Sequence, residues 1–247
     1  MDYYNQGVQQ EKNKNYPSAM AFFNNAIEND PSFLPAYLDR GTLKSTLEDY
    51  RGAISDFTAA IKINPNFELT YYNRGLCKIE LGDYYGSIVD FSIAIELRPS
   101  FVQAYYSRGT AKANLKDFKG SILDLTRAIE LDPKSSEAFY NRGFSKQSME
   151  DFVGSISDFS TSIRLDPYKE EAYYSRGLSR FFLDDFSGAI EDFSKAIVLN
   201  PKNAIAYQSR GICKINLGQK DSGCLDLSKA GELGSGSAYQ AIKEFCK

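Results

Sequence analysis

The chain has 247 residues, of which 43% are hydrophobic and 14% aromatic, and its 29 basic and 32 acidic residues leave a net charge of −3. This composition is sufficient for a continuous apolar core, and the absence of a basic excess argues against a nucleic-acid partner. The sequence contains no histidine, which removes His-based acid–base catalysis, Ser-His triads and most zinc sites. No apolar run approaches the roughly 20 residues that a membrane-spanning helix needs, so membrane insertion is not expected.

Proline and an Arg-Gly pair each recur every 34 residues. The prolines are Pro31, Pro65, Pro99, Pro133, Pro167 and Pro201. A fixed period of this size indicates stacked structural repeats. We therefore expect one elongated array without linkers, which presents a long surface rather than a single catalytic pocket.

In chain order, the period predicts seven repeats and a short terminal helix. The repeats span 1–33, 34–67, 68–101, 102–135, 136–169, 170–203 and 204–236, and a capping helix follows in 237–247. In the third repeat, apolar residues recur at helical spacing over 68–81 and 84–97. Asp83 precedes the second run as a helix cap, and Pro99 ends it because proline cannot continue the helical hydrogen bonds. Each repeat is thus predicted to be a helix, a tight turn and an antiparallel helix.

A glycine column, including Gly41 and Gly75, lies inside the first helix of each repeat. Glycine costs about 1 kcal/mol relative to alanine in a helix, so we expect that a Cβ there would collide with the neighbouring helix. A second glycine column, from Gly52 to Gly188, falls in the first turn of the second helix, and its spacing alone suggests no reason for it.

The four cysteines, Cys77, Cys213, Cys224 and Cys246, contain no C-x-x-C pair. We expect small buried or half-buried residues in a reducing compartment rather than redox or metal sites. The first residues lack the basic and apolar regions of a signal peptide. The predicted location is the cytoplasm, or the periplasm if a signal has been removed.

The repeat resembles the tetratricopeptide repeat (TPR) family in the type and spacing of its residues. The matching residues of the third repeat are Tyr71, Gly75, Ser87, Phe91, Ala94 and Pro99. Tyrosine or phenylalanine stands where the family usually has tryptophan. The resemblance covers the whole chain and implies an all-α fold, a right-handed superhelix of helix pairs whose first helices line a concave groove. It also implies a non-enzymatic scaffold or adaptor that binds other proteins.

An arginine column and an aspartate column accompany each other through repeats two to seven. Their members run from Arg40 and Asp56 to Arg210 and Asp226. We predict Arg–Asp contacts between helices, mainly within repeats, because a guanidinium near a core needs a partner. The alternative is that these charges face the groove and hold a ligand.

If the family geometry holds, one set of side chains lines the groove and is predicted to bind a peptide. The set comprises Tyr72, Tyr106, Tyr140, Phe144, Tyr174, Leu178, Phe181, Phe182, Asn73 and Asn141. The sixth repeat is the strongest candidate because its residues would form an exposed apolar cluster. The alternatives are that the tyrosines pack only against each other and that the asparagines are ordinary solvated residues.

The predicted partner is a protein or peptide segment that is apolar or mildly basic. The groove lacks the lysine- and asparagine-based clamp with which some TPR co-chaperones hold an acidic tail, and it adds Glu80, Glu137 and Glu171. No phosphate loop, metal-ligand set or nucleophile–base arrangement appears, so we expect no catalytic residue, metal or cofactor. The alternative function is a self-associating module that stacks through its ends; the chain is otherwise expected to be a monomer or to associate weakly.

Overall fold

The computed structural model describes residues 2–246, and these form fifteen α-helices without any strand. Met1 and Lys247, the outermost residues of the predicted first repeat and cap, lie outside the described residues. The helices are α1 Asp2–Lys12, α2 Tyr16–Asn29, α3 Leu34–Thr46, α4 Tyr50–Ile63, α5 Glu68–Glu80, α6 Tyr84–Leu97, α7 Val102–Asn114, α8 Phe118–Leu131, α9 Ser136–Gln147, α10 Phe152–Leu165, α11 Glu170–Phe182, α12 Phe186–Leu199, α13 Ala204–Asn216, α14 Lys220–Glu232 and α15 Gly236–Phe245. Each predicted repeat contains two consecutive helices, and α15 remains as the cap.

The chain forms two compact units, one up to Arg127 and one from Ala128 onward. In the first unit, α5 packs against α4 and α6 and also touches α3 and α7. In the second unit, α11 has the corresponding neighbours α10, α12, α9 and α13. The odd-numbered helices therefore form a row within each unit. The assembly of all seven repeats into one solenoid stays a prediction.

The second helix of each central repeat begins at an aspartate cap, which also accounts for the second glycine column. The Asp83 carboxylate accepts from the Gly86 N–H at 2.9 Å, and the same bond recurs at Asp49, Asp151 and Asp185. A Cβ on Gly86 would lie only 2.1 Å from an oxygen of that carboxylate. Glycine therefore leaves room for the capping side chain at this position.

The first glycine column brings the two helices of a repeat close together, as predicted. A Cβ on Gly75 would lie 2.7 Å from Cε1 of Phe91, a ring that is fully buried. In most repeats the residue opposite the glycine is thus the large core residue of the second helix. In the last repeat it is instead a small residue, because a Cβ on Gly211 would meet the backbone oxygen of Gly223 at 2.8 Å.

The predicted capping helix is confirmed, and it is held by contacts that were not foreseen. Ala238 of α15 is buried, while Gln208 accepts hydrogen bonds from the hydroxyls of Ser235 and Ser237 at 2.6 and 2.8 Å. Gln208 occupies the column that tyrosine fills in most repeats. Its amide oxygen therefore fixes the start of α15 against α13.

The prediction that all four cysteines are reduced is wrong for one pair. Cys224 on α14 and Cys246 after α15 form a disulfide with a Cα–Cα distance of 5.8 Å. Cys77 and Cys213 are buried free thiols, as expected. Burial raises the pKa of Cys213 to about 12, so this thiol behaves as a small neutral core residue.

Candidate functional site

The Arg–Asp ladder is confirmed as a structural feature that joins the two helices of repeats two to seven. All six arginines pair with the aspartate 16 positions later, with Nη2–Oδ1 distances of 2.6–2.7 Å. Nε donates to the second carboxylate oxygen in every pair, so the contact is bidentate. The aspartates are buried and serve the fold, which leaves them unavailable to grip a ligand.

Three further columns complete this network, and the sequence analysis missed them. A lysine or arginine one helical turn after each ladder arginine also binds the aspartate; Lys78 lies 2.8 Å from Asp90. The remaining guanidinium nitrogen of Arg74 donates to Thr58 of the preceding repeat at 3.0 Å, and Arg40, Arg108, Arg176 and Arg210 make the equivalent contact. Each arginine also lies over the ring three residues earlier, with Cζ 5.5–5.8 Å from the ring centroid. The sequence signal for part of this network is that a polar residue stands 16 positions before and 16 positions after each ladder arginine, as Thr58 and Asp90 do for Arg74.

The four predicted groove tyrosines are half-buried, and Tyr72, Tyr140 and Tyr174 pack on core phenylalanines. Tyr72 lies 5.7 Å from Phe91, and Tyr174 lies 5.5 Å from Phe193. Tyr140 packs on its own repeat's phenylalanine in the same way. The backbone oxygen of Tyr106 accepts from Thr110 at 3.0 Å. These tyrosines expose only part of their surface on the face of the odd-numbered helices.

The two predicted asparagines lie in different units. Asn73, which is half-buried, lines a small cleft of about 120 Å³ together with Thr42, Ser45 and Leu76. Asn141 is half-buried, and its backbone oxygen accepts from Ser145 at 3.0 Å.

Three of the predicted sixth-repeat residues, Leu178, Phe181 and Phe182, line two clefts in the second unit, and Leu178 borders both. One cleft, of about 190 Å³, is bounded by Leu178, Phe181, Phe193, Ser209 and Ile212. The other, of about 460 Å³, is bounded by Gln147, Ser148, Glu150, Phe152, Leu178 and Phe182. The sequence analysis did not foresee the α9–α10 side of the larger cleft.

The aromatic residues of this region divide into buried and accessible members. Phe181 is half-buried and packs edge-on against Phe182 and Phe186. Phe182 is 54% exposed and stacks on Phe152, with centroids 4.9 Å apart and an interplanar angle of 16°. Phe144, on the neighbouring α9, is 44% exposed. Phe182 and Phe144 therefore offer apolar surface, while Phe181 also stabilises the fold.

The smaller cleft has a counterpart in the first unit with a different lining. Thr42, Ser45, Phe57, Asn73 and Leu76 occupy the same repeat positions there as the lining residues described for the sixth and seventh repeats. The backbone frame is thus shared. The change from threonine and serine to Leu178 and Phe181 makes the second-unit cleft markedly more apolar.

Some of the acidic side chains near these clefts have polar or charged partners within the chain, and others are exposed. Lys169 binds Glu137 and places its ammonium 4.8 Å from the ring centroid of Tyr140, so the predicted acidic character is offset at that point. Glu170, at the start of α11, accepts from Asn203 at 2.6 Å, and burial raises the pKa of its carboxyl. Glu150 is exposed at the rim of the larger cleft.

Within residues 2–246, no helix has the length and apolarity required to cross a membrane.

Two family models, both described as tetratricopeptide repeat, match the sequence. One matches 34–67 and 102–135 and the other 170–203, which coincide with the second, fourth and sixth predicted repeats. No curated protein matches the sequence.

Several solved structures share the fold. A TPR repeat-containing protein from Cytophaga hutchinsonii is 17% identical, with a TM-score of 0.82 over 97% of this chain and 99% of that one. MamA is 27% identical, with a TM-score of 0.65 over 69% and 93%. YrrB, a TPR protein, is 23% identical, with a TM-score of 0.67 over 74% and 95%. Proteins of this fold are typically non-enzymatic scaffolds for protein interactions. The paired helices, the repeat signature and these matches show that the chain contains tetratricopeptide repeats and has the fold of such proteins.

Proposed function

We propose that this chain is a scaffold that holds a peptide segment of a partner protein on the face of α9, α11 and α13. The segment lies across Leu178 and enters the two clefts beside it. The predicted residues Phe144, Tyr174, Phe181 and Phe182 surround this position, whereas Tyr72, Tyr106 and Asn73 belong to the other unit.

The observation that carries the proposal is the accessible apolar surface at Leu178 and Phe182. A concave apolar site with a few polar groups at its rim is the usual form of a binding site. The counterpart cleft in the first unit is lined by Thr42 and Ser45, so the fold does not require apolar residues here. YrrB is described as having an unusual peptide-binding site, which shows that peptide binding is available to this fold.

The experiment is a selection of short random peptides displayed against the intact chain, followed by affinity measurements on the selected peptides. Phe182→Asp should abolish their binding, because it places a charge on the apolar surface. Val198→Asp is the matched control, since Val198 is 69% exposed on α12 and lines neither cleft. Both variants must first show native circular dichroism and melting. Selected peptides that bind all three proteins equally would refute the site.

Self-association through the ends is the alternative function, and sedimentation at several concentrations separates the two. The buried contacts and the disulfide of α15 protect the carboxyl end of the stack, which favours peptide binding. A mass that rises with concentration, and returns to that of one chain when end residues such as Tyr3 are replaced, would favour assembly instead.

For its location, we propose an oxidising compartment rather than the cytoplasm. Disulfides persist mainly outside the reducing cytosol, and Cys224–Cys246 is one. Measuring free thiols in the chain isolated from its source under alkylating conditions tests this: two thiols support the proposal, and four overturn it.

A further inference from the structure

We propose that the larger cleft is a subsite for an arginine side chain of the bound peptide, in which the exposed Phe182 ring, backed by Phe152, stacks on the guanidinium and Glu150 pairs with its charge. This inference rests on the proposed function and names the chemistry of its partner. The smaller cleft then takes a neighbouring aliphatic side chain of the same peptide.

The aromatic half of the subsite is the Phe152–Phe182 pair. The two rings are nearly parallel, and both border a cleft of about 460 Å³ that is open to solvent. A planar guanidinium stacks on such a ring while its N–H groups remain free to donate at the edge. Leu178 also borders this cleft and provides apolar contact for the methylene groups of the arginine.

The charged half of the subsite is Glu150, which follows α9 in a turn with φ of 63° and borders the same cleft. Within residues 2–246, Glu150 forms no ion pair. The cations on α9 and α11 are already engaged: Lys146 binds Asp158, and Arg180 binds Asp192 and Asp185. The cleft therefore has an unneutralised carboxylate beside an aromatic surface, which is complementary to a basic ligand group.

The polar lining adds an acceptor rather than a competing donor. The Gln147 amide nitrogen donates to the Ser175 carbonyl at 2.9 Å and to the Ser179 hydroxyl at 2.7 Å. Because these bonds fix the amide nitrogen on α11, the amide oxygen is the group left to accept from a ligand.

The chain itself uses the same three-part arrangement in its ladder. Arg176 lies 5.8 Å from the ring centroid of Tyr173 while it pairs with Asp192 at 2.6 Å. Six such arginine, ring and carboxylate sets stabilise the repeats. The larger cleft presents the ring and the carboxylate without the arginine, and a partner can supply it.

The test uses the peptides selected on the intact chain and compares each with its arginine→citrulline version, which keeps the shape and removes the charge. We expect arginine to be enriched, and citrulline to weaken binding by about tenfold, equivalent to about 1.4 kcal/mol. Glu150→Gln should weaken the arginine peptide by a similar factor but leave the citrulline peptide within about twofold. Phe182→Leu keeps an apolar side chain but removes the ring, so it should reduce the preference for the arginine peptide over the citrulline peptide, compared with the native chain.

The controls separate this inference from the proposed function. Asp184→Asn removes a nearby exposed carboxylate that does not border the cleft and should change affinity by less than about twofold. Peptides that require Phe182 but show no arginine enrichment, or that ignore Glu150→Gln, would overturn the arginine subsite and leave the peptide site standing. Peptides that ignore Phe182→Asp would overturn both.

Discussion

Replacing Asp90 with alanine tests whether the Arg–Asp ladder stabilises the repeats. The carboxylate is 0% exposed and lies where α5 packs against α6. It accepts from Nε and Nη2 of Arg74 at 2.9 and 2.6 Å and lies 2.8 Å from Nζ of Lys78. In the variant, two cations whose side chains are 16% and 19% exposed lose their common counter-charge.

The expected loss of stability follows from that burial. Removing one partner of a buried ion pair costs about 3–5 kcal/mol, because an uncompensated charge remains. Water reaches the partly exposed ends of Arg74 and Lys78 and solvates part of that charge. We therefore expect the lower limit, about 3 kcal/mol.

The measurement is urea unfolding followed by circular dichroism, with hydrogen exchange of the α5 and α6 amides because repeat stacks unfold in parts. Asp83→Ala is the control on the same helix: this exposed cap accepts one N–H bond at 2.9 Å, and its loss should cost about 1 kcal/mol. Equal losses for the two variants would refute the reasoning, since the ladder would then contribute no more than one helix cap.

Three other perturbations have defined outcomes. Gly75→Ala should lower the free energy of unfolding by about 1 kcal/mol, because overpacking against Phe91 outweighs the better helix propensity of alanine. The control is Gly236→Ala, which should not destabilise the chain because a Cβ there meets nothing within 4 Å. An equal loss of stability in both variants would contradict the collision with Phe91. Cys246→Ser removes a link of sequence separation 22 and should lower the local unfolding free energy of α15 by about 3 kcal/mol; unchanged exchange of the α15 amides would contradict this. Burial raises the pKa of Cys213 to about 12, so iodoacetamide at pH 8 should modify this thiol only after unfolding, and modification of the native protein would show that it is accessible.

The features that sequence periodicity revealed are those that most of the repeats share. The glycine at 75, the cap at Asp83 and the Arg74–Asp90 pair each recur at fixed intervals, because a residue in the wrong place would break the same contact in each copy. Because these positions are closely packed or carry buried charge, substituting another amino acid there would destabilise the repeat. Repetition within one chain therefore predicted the Arg74–Asp90 pairing, but it did not predict that Phe91 lies opposite Gly75 or that Asp83 caps the Gly86 N–H.

Features that occur once were beyond this reasoning. The disulfide pairs Cys224 with Cys246 in the cap, where no other repeat offers a comparison. The bonds of Gln208 to Ser235 and Ser237 are likewise unique to the last helices. The larger cleft forms where the turn after α9 lies beside α11. The periodicity of apolar residues predicts helices, but it does not predict where a turn lies.

The exposed columns of the odd-numbered helices carry the information about binding, because packing leaves them free to differ. At equivalent positions the chain has Thr42 and Ser45 in one unit and Leu178 and Phe181 in the other, on the same local frame. Keeping apolar side chains in contact with water forgoes about 25 cal/mol for each Å² left unburied. A folding requirement would have placed apolar residues at these two positions in every repeat, whereas the proposed peptide would account for Leu178 and Phe181. The same logic supports the proposal that Glu150 pairs with the ligand, since the buried aspartates already satisfy the neighbouring cations.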